Sequence, residues 1–234
     1  SVYTAIQNLL SEAKTGFDAA AAPISPGAED IVYSGDATQW RKLANALSAR
    51  AYLHLAKKDA ANYGRALAAI DDGAFTSNND DATFSFGAGA VEAGPWFQFN
   101  DQRGDIIYKD VNLYNMMIAD SDPRFDSYYD SSSGTPSEAS LGAYFGRPDA
   151  PFFFHSYLEQ KFIEAEAAFQ TGALQRAADA HHAAVLASLA RIGVTDATWE
   201  AANATETMTS ITLEKIMTQK YVAMFLDVEV FADW

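Results

Sequence analysis

The chain has 234 residues, a formal net charge of -15 and no cysteine. A chain of this length buries roughly 70–75% of the surface that its unfolded form exposes, and the lack of thiols excludes disulfides, thiolate metal sites and cysteine nucleophiles. The negative charge disfavours nucleic acid and anionic lipid as partners, and no apolar stretch reaches the ~20 residues that cross a bilayer.

The first third of the chain predicts three helices. An apolar stripe at three- and four-residue steps predicts the first helix, which Pro23 and Pro26 end. The second begins at a side-chain cap from Asp36 or Thr38, and the third ends at Gly73, which suits the left-handed conformation that follows a helix. A short connection makes the second and third helices an antiparallel pair. The stripe residues of the first two helices are Ile6, Leu9, Leu10, Ala13 and Phe17, then Trp40, Leu43, Leu47, Ala51 and Leu55.

The last third predicts a second helix pair and a closing helix. Gly172 separates the two members of the pair, and the second member ends before Gly193. The closing helix begins at a hydroxyl cap and runs to Trp234, and its apolar residues on more than one face predict burial. The capping candidates are Thr209, Ser210 and Thr212. We therefore predict a mainly α fold built of tetratricopeptide-like helical hairpins.

Residues 76–155 differ in kind from both flanks. They hold 5 of the 7 prolines, 7 of the 14 glycines and 15 of the 30 aromatic residues, and helical periodicity is lost. Long irregular connections of this sort are usually functional or disordered, and the aromatic content argues against disorder. We predict one domain in which residues 1–75 and 156–234 form the helical scaffold, while residues 76–155 form a loop-rich, aromatic-rich insertion that carries the ligand surface.

Five groups of short segments follow one another in an order found in a known family. They are residues 30–36 with 40–50 (DIVYSGD and WRKLANALSAR), 122–125 (DPRF), 156–159 with 162–167 (SYLE and FIEAEA), 211–215 (ITLEK) and 229–234 (EVFADW). Together they resemble the SusD/RagB-like outer-membrane nutrient-binding lipoproteins. The resemblance implies an α-α superhelix packed against a loop-rich binding region, and a lipid-anchored protein at the cell surface with a SusC-like TonB-dependent transporter as its partner.

The sequence starts at Ser1 without the lipobox cysteine of that family and stops at Trp234. We therefore expect it to be a segment of a longer protein, with membrane contact only through a lipid anchor that lies outside the segment. The shared residues also have plain structural interpretations. Asn45 and Arg50 are expected to bond loop carbonyls or carboxylates rather than ligand, and Asp122 is expected to accept backbone donors in a turn set by Pro123.

The segment around Trp96 is the most suggestive of binding. Sugars present apolar C–H faces and hydroxyl rims, so a site for them combines aromatic rings with amide and guanidinium groups. The predicted ligand-binding residues are Trp96, Phe97, Gln98, Asn100 and Arg103, with Tyr108, Tyr144 and Tyr114 as weaker candidates. The alternative is that the rings at 96, 97 and 99 anchor this segment onto the helices.

Other reactive residues have simpler explanations. His181 and His182 are adjacent in sequence and point about 100° apart on a helix, which does not suit one metal ion, so we predict neither a metal nor another cofactor. Two carboxylate pairs, 126 with 130 and 164 with 166, have the residue type for glycoside hydrolysis, but sequence spacing does not set the ~5–10 Å separation that this chemistry needs. Solvated surface charge explains these four residues better.

The sequence therefore predicts a protein that binds a nutrient, most readily an oligosaccharide, at the outer-membrane surface and hands it to a TonB-dependent transporter without breaking bonds. A helical-repeat module that binds protein, with the aromatic residues only filling gaps, is the alternative. A glycosidase is the third hypothesis.

Overall fold

A computed structural model of the chain describes residues 1–19, 26–103, 107–109, 111–132 and 137–232. The helices are α1 Val2–Asp18, α2 Ala37–Ala56, α3 Ala61–Asp71, α4 Pro95–Gln102, α5 Asn112–Ala119, α6 Phe125–Tyr128, α7 Tyr157–Gln170, α8 Leu174–Ile192, α9 Ala197–Asn203 and α10 Leu213–Ala223. The strands are β1 Ala82–Phe84, β2 Ile107–Tyr108, β3 Tyr129–Asp130, β4 Glu138–Leu141 and β5 Phe152–His155. Helix predominates in these ranges, so the prediction of a mainly α fold is confirmed.

The chain forms two compact units. The first unit comprises Ser1–Thr83, Phe153–Ala187 and Thr205–Trp234, and the second comprises Phe84–Phe152 and Ser188–Ala204. The first unit therefore draws on both ends of the chain and is largely helical. The second unit contains most of the aromatic-rich insertion.

The helix ends follow the capping residues in the sequence. Asp36 Oδ1 accepts hydrogen bonds from the backbone N–H groups of Thr38 and Gln39, so of the two predicted caps of α2 it is Asp36 that acts. Thr212 caps α10 by accepting from Lys215 N. Gly73, Gly172 and Gly193 all have positive φ after α3, α7 and α8, which is the conformation that glycine adopts without steric cost. Both predicted helix pairs are confirmed: α2 contacts α3, and side chains of α7 contact side chains of α8, Glu164 with Arg176 and Phe162 with His181.

Alanine lines the core of the first unit. Its small side chain lets helix backbones approach closely, so ridges of one helix fit the grooves of the next. One buried cluster joins α2, α3 and α7 and consists of Ala49, Leu53, Ala66, Ala69, Ile70, Ile163 and Ala167. Of the stripe predicted for α2, Leu43 lies in a second buried cluster, and Trp40 and Leu47 pack against that cluster, so this part of the stripe is a packing face.

The family segments in the first unit act as structural braces. Asp30 accepts a 2.6 Å hydrogen bond from Trp40 Nε1 and further bonds from the backbone of residues 32, 33 and 35. Burial alone would raise the pKa of Asp30, but these hydrogen bonds outweigh it and lower the pKa to about 2. Asn45 Nδ2 donates to the carbonyls of Asp72 and Gly73, which confirms its predicted role.

Arg50 joins two distant helices of the first unit. Its Nε and Nη2 each lie 2.6 Å from a carboxylate oxygen of Glu159, and Nη2 also donates to Phe154 O. Glu159 is 1% exposed, and burial opposes its ionisation; His155 and Arg50 outweigh that effect and lower its pKa. The prediction that Arg50 bonds carbonyls or carboxylates is therefore confirmed, and α2 is tied to α7 through a bidentate ion pair.

α1 is present as predicted, although Ile6 and Leu9 of its apolar stripe are exposed. The prediction for the closing helix of the first unit needs correction. The closing helix ends at Ala223 rather than running to Trp234, because Leu226 takes a positive φ and Asp227 starts a separate 3-10 turn at Val228–Phe231. Pro23, Asp233 and Trp234 lie outside the described residues.

The second unit is held mainly by short strands and a buried turn. β4 pairs antiparallel with β2 and with β3, giving the strand order β2-β4-β3. Arg124 is 0% exposed; it binds Asp122 through Nε and Nη2 and lies 5.0 Å from the Trp199 ring. Asp122 Oδ1 also accepts from Arg124 N, which confirms the predicted turn. Helices α4 and α5 were not predicted, since each is only eight residues long.

Candidate functional site

Helix α4 carries most of the predicted ligand residues. Pro95 occupies its first turn, where a missing N–H costs nothing, and Gly94 precedes it. The Gly94 N–H donates to Pro148 O at 2.8 Å, which fixes the start of the helix within the second unit. A proline at the first helical position is a recognised start signal, so this helix could have been found from the sequence.

An exposed stripe runs along α4. Trp96 is 41% exposed and Phe99 is 45% exposed, and the spacing of three residues places both rings on one side of the helix. Arg103, at the C-cap, lies with its guanidinium carbon 5.4 Å from the centre of the Phe99 ring. Two rings and a cation therefore face solvent together. The two exposed rings are not sealed into the interior as simple anchors would be.

The side chains of the other predicted residues of α4 take part in contacts within the protein. Gln98 Nε2 donates to Ala93 O at 2.6 Å, and Asn100 Oδ1 accepts from Leu141 N at 3.2 Å, which ties α4 to β4. Phe97 is partly buried. The second polar atom of each amide, Oε1 of Gln98 and Nδ2 of Asn100, is the one that could meet a ligand.

The tyrosine candidates separate into different environments. Tyr108 is 52% exposed on β2, opposite Glu138 of β4. Tyr144 is partly buried, and Arg147 covers one face of its ring at 4.7 Å. Tyr114 is only 6% exposed and packs edge-on against Phe125 and Tyr129, so it belongs to the core. Of the three, Tyr108 is the most accessible.

The second unit also contains a cavity of about 520 Å³, which no pattern in the sequence predicts. Its lining includes Asp126, Asp130, Arg147, Tyr129 and the glycines at 142 and 146. Leu141, whose backbone N–H donates to Asn100 Oδ1 as described above, lines it as well. Asp126 and Asp130, interpreted from sequence as surface charge, thus share one concave site, because the turn after α6 and the turn after β4 fold against each other.

Glu164 and His181 are buried in the first unit, so the interpretation of Glu164 as solvated surface charge is wrong. Glu164 binds Lys161 and Arg176, which explains its burial as part of an ion-pair network. His181 is 0% exposed, and burial lowers its pKa to about 4. In the ranges that the structure covers, no three His, Asp or Glu side chains converge as a metal site would require. None of the helices there combines the length and apolarity needed to cross a membrane.

Solved structures similar to this chain are SusD homologues. A chitin-binding SusD homolog from Flavobacterium johnsoniae has a TM-score of 0.77 at 22% identity, over 99% of this chain and 58% of that one. A SusD homolog from Bacteroides fragilis has a TM-score of 0.77 at 20% identity, over 99% of this chain and 61% of that one. These likenesses confirm the predicted SusD-like, tetratricopeptide-like fold. The chain spans about three fifths of their length.

A comparison with curated proteins gave no match. A family model described as starch-binding and associating with the outer membrane, SusD-like_2, matches residues 1–234. This family is one of binding proteins rather than enzymes, in agreement with the predicted lack of catalysis. Since the model covers the chain from end to end, the protein belongs to the SusD-like family.

Proposed function

We propose that this protein binds glycan through the second unit, with the exposed stripe of α4 as the contact surface. The observation that carries the proposal is the pair of solvent-facing rings, Trp96 and Phe99, with Arg103 beside them. Sugar rings stack on such faces through their C–H groups, while a guanidinium and amides meet the hydroxyls. Tyr108 and the free amide atoms of Gln98 and Asn100 extend this contact surface.

The proposed mechanism is capture followed by release, with no bond broken. The family description of starch binding and the chitin-binding homologue both support a glycan as the ligand. Each stacked ring contributes about 1–3 kcal/mol by analogy with other flat π-face recognition, so two rings contribute about 2–6 kcal/mol, which corresponds to dissociation constants from about 30 mM to about 40 μM. We also propose that the full-length protein is lipid-anchored at the outer-membrane surface and delivers its ligand to a SusC-like TonB-dependent transporter.

Affinity electrophoresis in gels containing starch, xylan, glucomannan or soluble chitin derivatives tests the binding. Trp96→Ala is expected to weaken retention by roughly 5- to 150-fold, the equivalent of 1–3 kcal/mol. Because the side chain is 41% exposed, its removal should leave the thermal midpoint nearly unchanged.

Phe231→Ala is the matched control, since that ring is 88% exposed in the first unit and lies outside the proposed surface. Its retention should equal that of the parent protein. A large fall in thermal midpoint for Trp96→Ala would instead assign the ring to structural anchoring. If the parent protein retains no glycan but captures a peptide, the helical-repeat interaction module is the better explanation.

Copurification of the full-length protein with a SusC-like transporter tests the proposed partner.

A further inference from the structure

The cavity of the second unit has walls that are fixed before any ligand arrives. The backbone N–H groups of Gly142, Ala143 and Tyr144 donate to the carbonyls of Tyr128, Asp126 and Ser127 at 2.9, 2.9 and 3.2 Å. This row of bonds holds the turn after β4 against α6. A site whose shape rests on backbone hydrogen bonds needs little reordering on binding, which favours affinity.

Two glycines make this close approach possible. A Cβ at Gly142 would lie 2.5 Å from Asp126 O, and one at Gly146 would lie 2.6 Å from Leu141 O. Both contacts are with backbone atoms, which cannot swing aside as the end of a long side chain can. The concavity therefore depends on glycine at both positions.

The charged groups at the cavity favour an uncharged polar ligand. Asp126 is exposed, and Asp130 accepts hydrogen bonds from the backbone N–H and the hydroxyl of Ser132 through Oδ1. Arg147 is paired with Asp149 at 3.0 Å and stacks on Tyr144, so its charge is already partly balanced. An anionic group entering the cavity would meet two carboxylates and one compensated guanidinium. Sugar hydroxyls can donate to the carboxylates and accept from the guanidinium without any such repulsion.

We propose that this cavity holds one neutral sugar residue of the bound glycan and disfavours uronic acid or sulfated residues at that position. The inference rests on the proposed glycan-binding function and adds a specificity site to it. A cavity of about 520 Å³ is within the range of roughly 300–1,000 Å³ usual for small-ligand sites. The hydrogen bond from Leu141 N to Asn100 joins a wall of the cavity to α4, so a glycan stacked on the exposed stripe has a neighbouring place for one further residue.

A variant with a larger side chain in the cavity tests whether a sugar residue of the glycan binds there. Ala143 lines it with an exposed side chain, and its backbone bond to Asp126 O does not depend on the side chain. Ala143→Phe is expected to weaken retention on the best-retained neutral glycan by at least about tenfold, because the ring occupies the space that the sugar needs. Far-UV circular dichroism and the thermal midpoint check that this variant folds.

Asp126→Asn tests whether the cavity prefers neutral to anionic sugar. The probe is the same neutral glycan before and after oxidation of its primary hydroxyls to carboxylates, which changes charge while keeping the backbone. The parent protein should retain the oxidised form at least about tenfold more weakly. Asp126→Asn should narrow this difference severalfold, because the repelling charge is removed, and any change in retention of the neutral form cancels in the ratio between the two forms. Glu12→Gln removes one negative charge from an exposed position of α1 in the first unit and should change neither value.

The outcomes separate the two proposals. If the parent retains no glycan, the proposed function and the cavity assignment both fail. If Trp96→Ala weakens retention while Ala143→Phe and Asp126→Asn behave like the parent, the glycan surface stands and the cavity assignment is overturned. If Ala143→Phe does not fold, the result with Asp126→Asn is decisive. A ratio of neutral to oxidised glycan retention equal to that of the parent overturns the assignment.

Discussion

The two units of this protein are stabilised in different ways. In the first unit, side chains far apart in sequence meet across long helices: Arg50 reaches Glu159 over 109 positions, and Arg176 reaches Asp71 over 105. In the second unit the buried ion pair joins residues only two apart, Asp122 and Arg124. Much of that unit instead depends on strand pairing and on backbone bonds around two glycines.

This difference bears on where ligand specificity can reside. A helical face that packs through its side chains tolerates few substitutions, because a change of even one methylene group in a close-packed core lowers stability. A turn fixed by backbone hydrogen bonds leaves its exposed side chains free to vary. Substitutions at Trp96, Phe99, Asp126 or Arg147 should therefore have little effect on the fold of the second unit.

The largest effect is expected from removing a long-range ion pair of the first unit. Arg50→Leu leaves Glu159 buried without its guanidinium partner, and we expect a loss of about 3–5 kcal/mol in the free energy of unfolding. Urea denaturation measures it. Arg65→Leu, which removes an exposed ion pair with Asp59, should cost less than about 1 kcal/mol. Equal losses for the two variants would contradict the bracing role of Arg50.

The pH dependence of the first unit gives the next largest effect. Burial lowers the pKa of His181 from 6.5 to about 4, so the unfolded chain binds a proton between these values and the folded chain does not. Stability is therefore fully present above pH 6.5 and falls as the pH drops towards 4, by up to about 3 kcal/mol.

The matching variant is His181→Gln, which should flatten this part of the stability profile. Urea titrations at half-unit steps from pH 7.5 to 4 measure the slope for both proteins. An identical slope would show that other groups carry the proton uptake.

For the second unit the sharpest change is one added methyl group. Gly142→Ala places a Cβ 2.5 Å from Asp126 O, and the forced shift of backbone should cost about 1–3 kcal/mol. Thermal unfolding monitored by near-UV circular dichroism, where aromatic residues report, measures the change. A variant as stable as the parent would mean that this turn can relax, and the idea of a backbone-fixed cavity would lose its support.

The smallest effect has the opposite sign and lies in the first unit. Gly64 is inside α3, and a Cβ there meets nothing within 4 Å. Gly64→Ala should raise the free energy of unfolding by about 1 kcal/mol, because alanine has the higher helix propensity and restricts the unfolded chain. Gly64→Ala and Gly142→Ala add the same methyl group. The first is expected to stabilise the protein through helix propensity, and the second to destabilise it through contact with backbone atoms. Destabilisation by Gly64→Ala would contradict this explanation.

The sequence alone determined the helical scaffold and its family. Asp36, Thr212 and Gly73 act locally, through hydrogen bonds or dihedral angles a few residues away, so the sequence places these helix ends to within two or three residues. The exposed face of α4 was predictable in kind, since aromatic and amide residues are concentrated there. Its short helix went unpredicted because eight residues offer little periodicity.

Which of these residues are accessible and which are packed follows from the three-dimensional fold and not from the sequence pattern. Tyr114 and Tyr108 belong to the same residue type and the same segment, yet one is 6% exposed and the other 52%, because burial depends on contacts with distant strands. The cavity has the same origin: it exists because the backbone near Gly142 approaches that near Asp126, and no local pattern in the sequence specifies a backbone-to-backbone distance. Helix periodicity is a local property and can be read from the chain, whereas a concave surface is a product of long-range packing.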